Sequence, residues 1–280
     1  MSTLQEAPLT GAARIERRPL PRRRRAIRAL APANRLRQLA LLVALLALWE
    51  IVGRRSADYT FAPPSSVVPA ARDMLRSGEL QHAAGASLAA LVLGYLAAVV
   101  AGTAIGYAMG WWRTIGSTLN PFVAAFYVVP VAALVPLVIA WMGLGTGPRV
   151  LVIFLFAVFA ITLSAYGGVR NIDPATVDVA RCFGARRGDM LWKVVLPGSL
   201  PFVFTGLRIG VSRAIKGMVV AEMLFAITGL GGLIIKYSGL FRMDKVLVVI
   251  VTIALIGIAL SALVQLLERY VLRWRDARAT

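Results

Sequence analysis

The sequence predicts an all-α, polytopic membrane protein: six transmembrane helices with one long cytosolic loop between the fourth and fifth. Three observations carry that prediction. Of the 280 residues, 59% are hydrophobic and 16% charged, against roughly 45–50% and about 25% in ordinary soluble domains, and the mean hydropathy is +0.75. Six mostly apolar runs approach or exceed the ~20 residues needed to cross a ~30 Å hydrocarbon core. The basic residues, finally, are shared unequally between alternate connections, as the positive-inside rule requires.

The expected spans are 37–53, 84–110, 118–142, 148–169, 200–226 and 246–268. A basic stretch from Arg14 to Arg37, including Arg22-Arg23-Arg24-Arg25, precedes the first span. With formal charge +18, a nucleic-acid arm is the rival reading, but a DNA-binding domain does not carry bilayer-length apolar runs. The apolar run 39–49 ends at Trp49-Glu50 without a small-residue cleavage pattern, so an uncleaved anchor is expected, not a signal peptide. With the N-terminus inside, 20 of the 31 Lys and Arg side chains fall on the cytosolic side, eight fall outside, and three lie within the fifth span. Both termini are therefore expected in the cytosol. Residues 1–36 read as a basic, disordered cytosolic tail, 37–275 as one transmembrane domain, and 276–280 as a cytosolic end. The external connection 54–83 carries a short helix near 67–77, and 227–245 contains Gly229-Leu230-Gly231-Gly232.

The residues that could do covalent chemistry are scarce. One cysteine, Cys182, excludes an intramolecular disulfide, and one histidine, His82, excludes a His-rich metal or haem site. Acids are too few for a metal-carboxylate cluster, so no metal site is expected. No GxxxxGK[ST] occurs, so the chain has no P-loop of its own.

Within the spans, Ala90, Gly94, Ala98, Gly102, Gly106 and Gly110 place a small residue at every fourth position. That makes a smooth ridge for close helix packing. Pro130 and Pro136 each remove a backbone donor from the third span, as in kinked packing and in the broken helices of transport pathways alike. The fifth span holds Arg208, Arg213, Lys216 and Glu222. Lys216 lies about 24 Å along a helix starting near 200, at ~1.5 Å per residue, too deep for easy snorkelling. It should therefore face a partner or a watery cavity. Arg213 and Lys216, three apart, share a face; a structural ion pair with Glu50 or Glu222 and an anion-attracting pathway are both open.

The most informative stretch is the loop 170–199. Asp173-Pro174 is an N-cap followed by Pro at the first helical position, and Gly184 ends the same helix. Val177, Ala180 and Phe183 give that helix an apolar stripe outside the bilayer, which must be covered by its own bundle or by another protein. A second short helix follows, and Pro197 and Pro201 mark the approach to the fifth span.

Asp178-Val179-Ala180, three residues, Gly184, nine residues, then Val194-Val195-Leu196-Pro197 resembles the EAA loop of binding-protein-dependent ABC importer permeases, E-A-A-x3-G-x9-I-x-L-P. Asp178, Val179 and Val194 depart from the pattern in identity while keeping charge or apolar character, and the spacing is intact. Gly168 to Pro174, Gly206-Leu207-Arg208, Val219 to Met223, Leu48-Trp49-Glu50 and the Pro63-to-Val68 segment are similar to the sulfonate/nitrate/taurine-type branch. The resemblance covers about 38–275. It implies a homodimeric pore in the bacterial inner membrane, two cytosolic ATPase subunits that carry ATP and Mg, and an external binding protein that delivers a small solute. The solute would be a sulfonate, taurine or nitrate, or else a non-sulfonate organic such as a pyrimidine precursor. No cofactor is expected on this chain and no catalysis. The coupling residues would be Asp178, Val179, Ala180, Arg181, Gly184, Leu196 and Pro197; Arg213, Lys216, Glu222, Pro130 and Pro136 are the pathway candidates. A passive channel would need a polar pore or filter segment, and a membrane-embedded enzyme convergent acids, His or Cys; the chain has no such cluster.

Overall fold

A computed structural model describes residues 23–55, 62–225 and 228–273, with side chains from 37 onward; 1–22 of the expected tail and the end 276–280 lie outside them. All regular structure among the described residues is helical. The chain divides into two units, 1–49 and 50–280. The first contains most of α1 (Arg23–Arg55), which starts upstream of the expected span at 37. Its leucines, Leu39 to Leu48, are exposed.

In the second unit, α2 (Pro64–Arg76) is the short helix expected near 67–77. Its N-terminus is met by Glu50, whose carboxylate accepts the Ser65 N–H at 3.0 Å and the Ser65 hydroxyl at 2.7 Å. A carboxylate there satisfies an orphan amide and opposes the helix dipole. The sequence segments around Glu50 and Ser65, noted separately above, are thus in contact.

Three long helices form the centre: α3 (Glu79–Trp111), α6 (Thr146–Arg170) and α9 (Leu196–Phe225). The small-residue ridge of α3 lies on α6. A methyl added at Gly94, Gly102, Gly106 or Gly110 would come within 2.5–3.0 Å of Ile153, Ile161, Ala165 or Val169, respectively. Each partner is 59 residues further along the chain, so α3 and α6 run parallel and in register. The other face of α6 meets α9, where Gly168 faces Phe202, Gly206 faces Ser164 and Gly217 faces Phe156. Numbers rise on one helix as they fall on the other, so α9 is antiparallel. Ala90, Leu91, Ile153, Ile161, Val211 and Met218 are fully buried between the three.

The third expected span, 118–142, is broken and not merely kinked. Helix α4 (Arg113–Val128) ends at Val129, a 3-10 turn covers Val131–Leu134, and α5 (Val135–Met142) leaves at 86°. Val129, with φ −56° and ψ 131°, is extended because the ring of Pro130 disfavours helix in the residue before it. Pro136 lies in the first turn of α5, where the missing donor costs nothing.

Helix α7 (Pro174–Cys182) is followed by α8 (Arg187–Asp189) and a π-helical turn, Met190–Val195, that leads into α9. The glycine-rich connection after α9, read as a loop, contains α10 (Gly229–Gly239), and α11 (Met243–Val271) is the last helix among the described residues. With α2, these two build a second core around Met74, Leu230, Tyr237 and Val249. Burial, reinforced by a hydrogen bond to the Glu79 carboxylate, pushes the Tyr237 phenol up to about 12. Among the described residues, α3, α6, Arg187–Phe225 and α11 are long and apolar enough to cross a membrane, and the bent pair α4–α5 makes a fifth if it is one span.

Candidate functional site

The best-formed local device is α7 and its two caps. The Asp173 carboxylate accepts the Ala175 N–H at 3.0 Å, and Pro174 fills the first helical position without wasting a donor. At the other end the Ala185 N–H donates to the Ala180 carbonyl at 3.1 Å and the Gly184 N–H to the Arg181 carbonyl at 2.9 Å. That crossed pair is a Schellman termination. It needs a left-handed residue, and Gly184 has φ +74°. The loop 170–199 therefore carries a nine-residue helix capped at both ends.

Val177 and Ala180 are half-buried beneath the helix. Phe183 is 88% exposed, and Val179 and Trp192 are exposed as well. Asp178 and Arg181 form an exposed ion pair at 3.5 Å. Leu196 and Pro197 are half-buried at the start of α9, where Ser199 donates back to the Leu196 carbonyl at 3.1 Å and meets the Tyr107 hydroxyl of α3 at 2.7 Å.

The candidate pathway residues do not converge. Arg213 lies over the Tyr127 ring, 4.1 Å from its centroid, beside a cavity of about 250 Å³ that Pro130 and Phe159 also line. Lys216 is exposed in another cavity, of about 570 Å³, between α9 and α11 with Ser212, Ser261 and Gln265. Neither Arg213 nor Lys216 pairs with an acid among the described residues. Pro136 is exposed on α5.

Glu222 is 0% exposed and sits in a polar knot joining four helices. Its Oε2 accepts the Ser87 hydroxyl of α3 at 2.8 Å and the Gly231 N–H of α10 at 3.0 Å, while the Leu230 N–H donates to the Ser87 oxygen at 2.8 Å. Its Oε1 lies 3.7 Å from Nη1 of Arg149 on α6, itself 8% exposed. Arg149 also donates to the Gly145 carbonyl and the Thr146 hydroxyl, each at 3.2 Å. The ionic partner of Glu222 is thus Arg149, a residue that sequence reasoning left among the external cations. The signal that could have exposed the site is Gly-Leu-Gly following a buried acid: a methyl on Gly229 would collide with the Glu222 carboxylate, and one on Gly231 would lie 2.6 Å from its Cβ.

Residues 74–273, which hold α7, the knot and the three central helices, match the family described as binding-protein-dependent transport system inner membrane component. The chain belongs to this family. The permease is 33% identical to the taurine transport system permease protein TauC of Escherichia coli, over 84% of this chain and 87% of the relative. It is 29% identical to the formylaminopyrimidine transport permease protein ThiX of Halalkalibacterium halodurans, over 82% and 92%. Its fold matches a chain of the inward-facing MetNI methionine ABC transporter with TM-score 0.61, covering 70% of the permease and 97% of that chain at 17% identity. This transport component is a multi-pass membrane protein, and its helical architecture is that of an ABC importer permease.

Proposed function

We propose that this permease forms, with a second copy of itself, the translocation pore of an ATP-driven importer whose hydrolysis resides on two cytosolic ATPase subunits. The observation that carries the proposal is α7. A capped helix that leaves Val179 and Phe183 bare outside the bundle has an apolar surface that another protein must cover. Docked on an ATPase, α7 moves when ATP binding closes the two ATPase subunits, and the helices packed against the loop relay that motion to the pore. Each pore state must then prefer a different nucleotide or substrate condition for the coupling to have a direction. Asp178 and Arg181 supply charge at the contact, Gly184 the turn after it, and Leu196 and Pro197 the rigid start of α9. Both termini and 170–199 face the cytosol in this scheme, and the chain itself does no covalent chemistry.

The solute is a small organic anion of the sulfonate or taurine class, handed over by an external binding protein; the relative TauC supports this class. The relative ThiX favours a second reading, a pyrimidine precursor. Arg213 and Lys216 are cations bordering cavities on α9 and suit an anion in transit. The test is uptake into proteoliposomes holding permease, ATPases and binding protein. ATP-dependent accumulation of labelled taurine, reduced in Lys216→Met without loss of the complex, supports the first reading. Accumulation of a formylaminopyrimidine alone supports the second, and failure of an ATPase to co-purify refutes the importer itself.

A further inference from the structure

Where α3 ends and α4 begins, a cavity of about 680 Å³ opens, and of its lining only Arg181 enters the coupling scheme. Four arginines from four different elements line it: Arg113 of α4, Arg170 of α6, Arg181 of α7 and Arg187 of α8. No Asp or Glu does. Among the described residues, Arg181 alone of the four has an ion-pair partner, its exposed neighbour Asp178 at 3.5 Å. Arg113, Arg170 and Arg187 form no ion pair among the described residues. Like charges gathered on one concavity repel each other unless an anion lies among them. Trp111 and Trp112 form part of the wall, and tryptophan is the side chain that settles at the boundary between headgroups and hydrocarbon.

We propose that this cavity binds the phosphodiester headgroup of an anionic phospholipid. Guanidinium groups present planar forks that match phosphate oxygens, and basic pockets between transmembrane helices on the cytosolic side are suited to such headgroups. The inference rests on the cytosolic placement of 170–199 proposed above. A soluble phosphate offers the same oxyanion, but the two indoles favour a ligand with a glycerol and acyl portion beside them. The bound headgroup joins Arg181 on the coupling helix to the ends of α4 and α6. Lipid composition would then set how tightly ATP hydrolysis is tied to transport.

Native mass spectrometry of the intact complex in neutral detergent, titrated with phosphatidylglycerol or phosphatidylcholine, tests this. The wild type should retain phosphatidylglycerol selectively. The triple variant Arg113→Gln, Arg170→Gln, Arg187→Gln should bind it roughly 100-fold more weakly, taking about 1 kcal/mol per arginine near the membrane surface. Should the triple variant fail to assemble, Arg113→Gln alone, on an exposed side chain, should still weaken retention several-fold. Equal retention by wild type and variant overturns the proposal. Displacement of the lipid by millimolar inorganic phosphate, with phosphate stabilising only the wild type, overturns the lipid in favour of a soluble anion. A reporter after Arg187 that is active only outside the cell would instead remove the premise, separating that failure from the others.

Discussion

Glu222 takes donors from α3 and α10 and its counter-ion from α6, so a single side chain ties three helices to a fourth. Removing one member of a buried ion pair strands the other charge, at about 3–5 kcal/mol, whereas replacing both by apolar residues is often neutral. Arg149→Met should therefore lower the thermal stability of the purified permease sharply, and Arg149→Met with Glu222→Met should recover much of the loss. A double variant as unstable as the sum of the singles would show that the ion pair does not unite these residues. Gly184→Val forces a β-branched side chain to φ +74°. It should loosen the end of α7 and reduce ATP-driven uptake while the complex remains assembled, and wild-type transport rates would remove the turn from the coupling scheme. The Gly184 turn was legible from one glycine after a capped helix. For Glu222, a buried charge was legible, but its partner was not. Nothing in a linear sequence distinguishes an arginine at the mouth of a span that faces solvent from one, such as Arg149, that turns inward.

Most helices follow from hydrophobic run length and end signals, and the two that departed did so for identifiable reasons. Helix α10 begins at Gly229-Leu230-Gly231-Gly232, a sequence that reads as a turn. At Gly229 the Glu222 carboxylate, and at Gly231 the Glu222 Cβ with the backbone at Val219 and Met223, leave no room for a Cβ. Between α4 and α5 the sequence left a kink and a break both open, since proline positions reveal where a helix yields but not by what angle. The α3–α6 seam makes a sharper test. At Gly106 an added methyl would lie 2.6 Å from the Thr162 carbonyl oxygen, a backbone atom that cannot rotate aside. Gly106→Leu should destabilise the protein by at least the ~1–3 kcal/mol typical of overpacking, read as a lower midpoint of thermal aggregation in detergent. Gly188→Ala, which meets nothing within 4 Å, should leave that midpoint unmoved; equal effects of the two would mean that the seam is not tight.

At the scale of the whole molecule, the all-helical membrane class came from composition, whereas of the six expected spans the described residues show four, or five with the bent pair. The way the helices pack could not be read from composition, because most side chains that meet across α3, α6 and α9 are small or apolar and carry no sequence label of their partners. Two measurements address the assembled state. A reporter fused after Arg187 should be active only on the cytosolic side, and one placed within 62–78 only outside. Native mass spectrometry should find two copies of this chain in the complex; one copy would refute the paired pore.

The constant offset between α3 and α6 has a mechanical meaning. Four slots filled at one constant offset act as a toothed track: a slip of one residue would drive a side chain into each closed slot at once. Sliding between the two helices is thereby suppressed, and tilting them together is the motion left. A displacement at the α7 end of the pair should arrive at the Arg149–Glu222 knot as the swing of a stiff lever, so the two ends of α3 and α6 move together even though no residue links them directly.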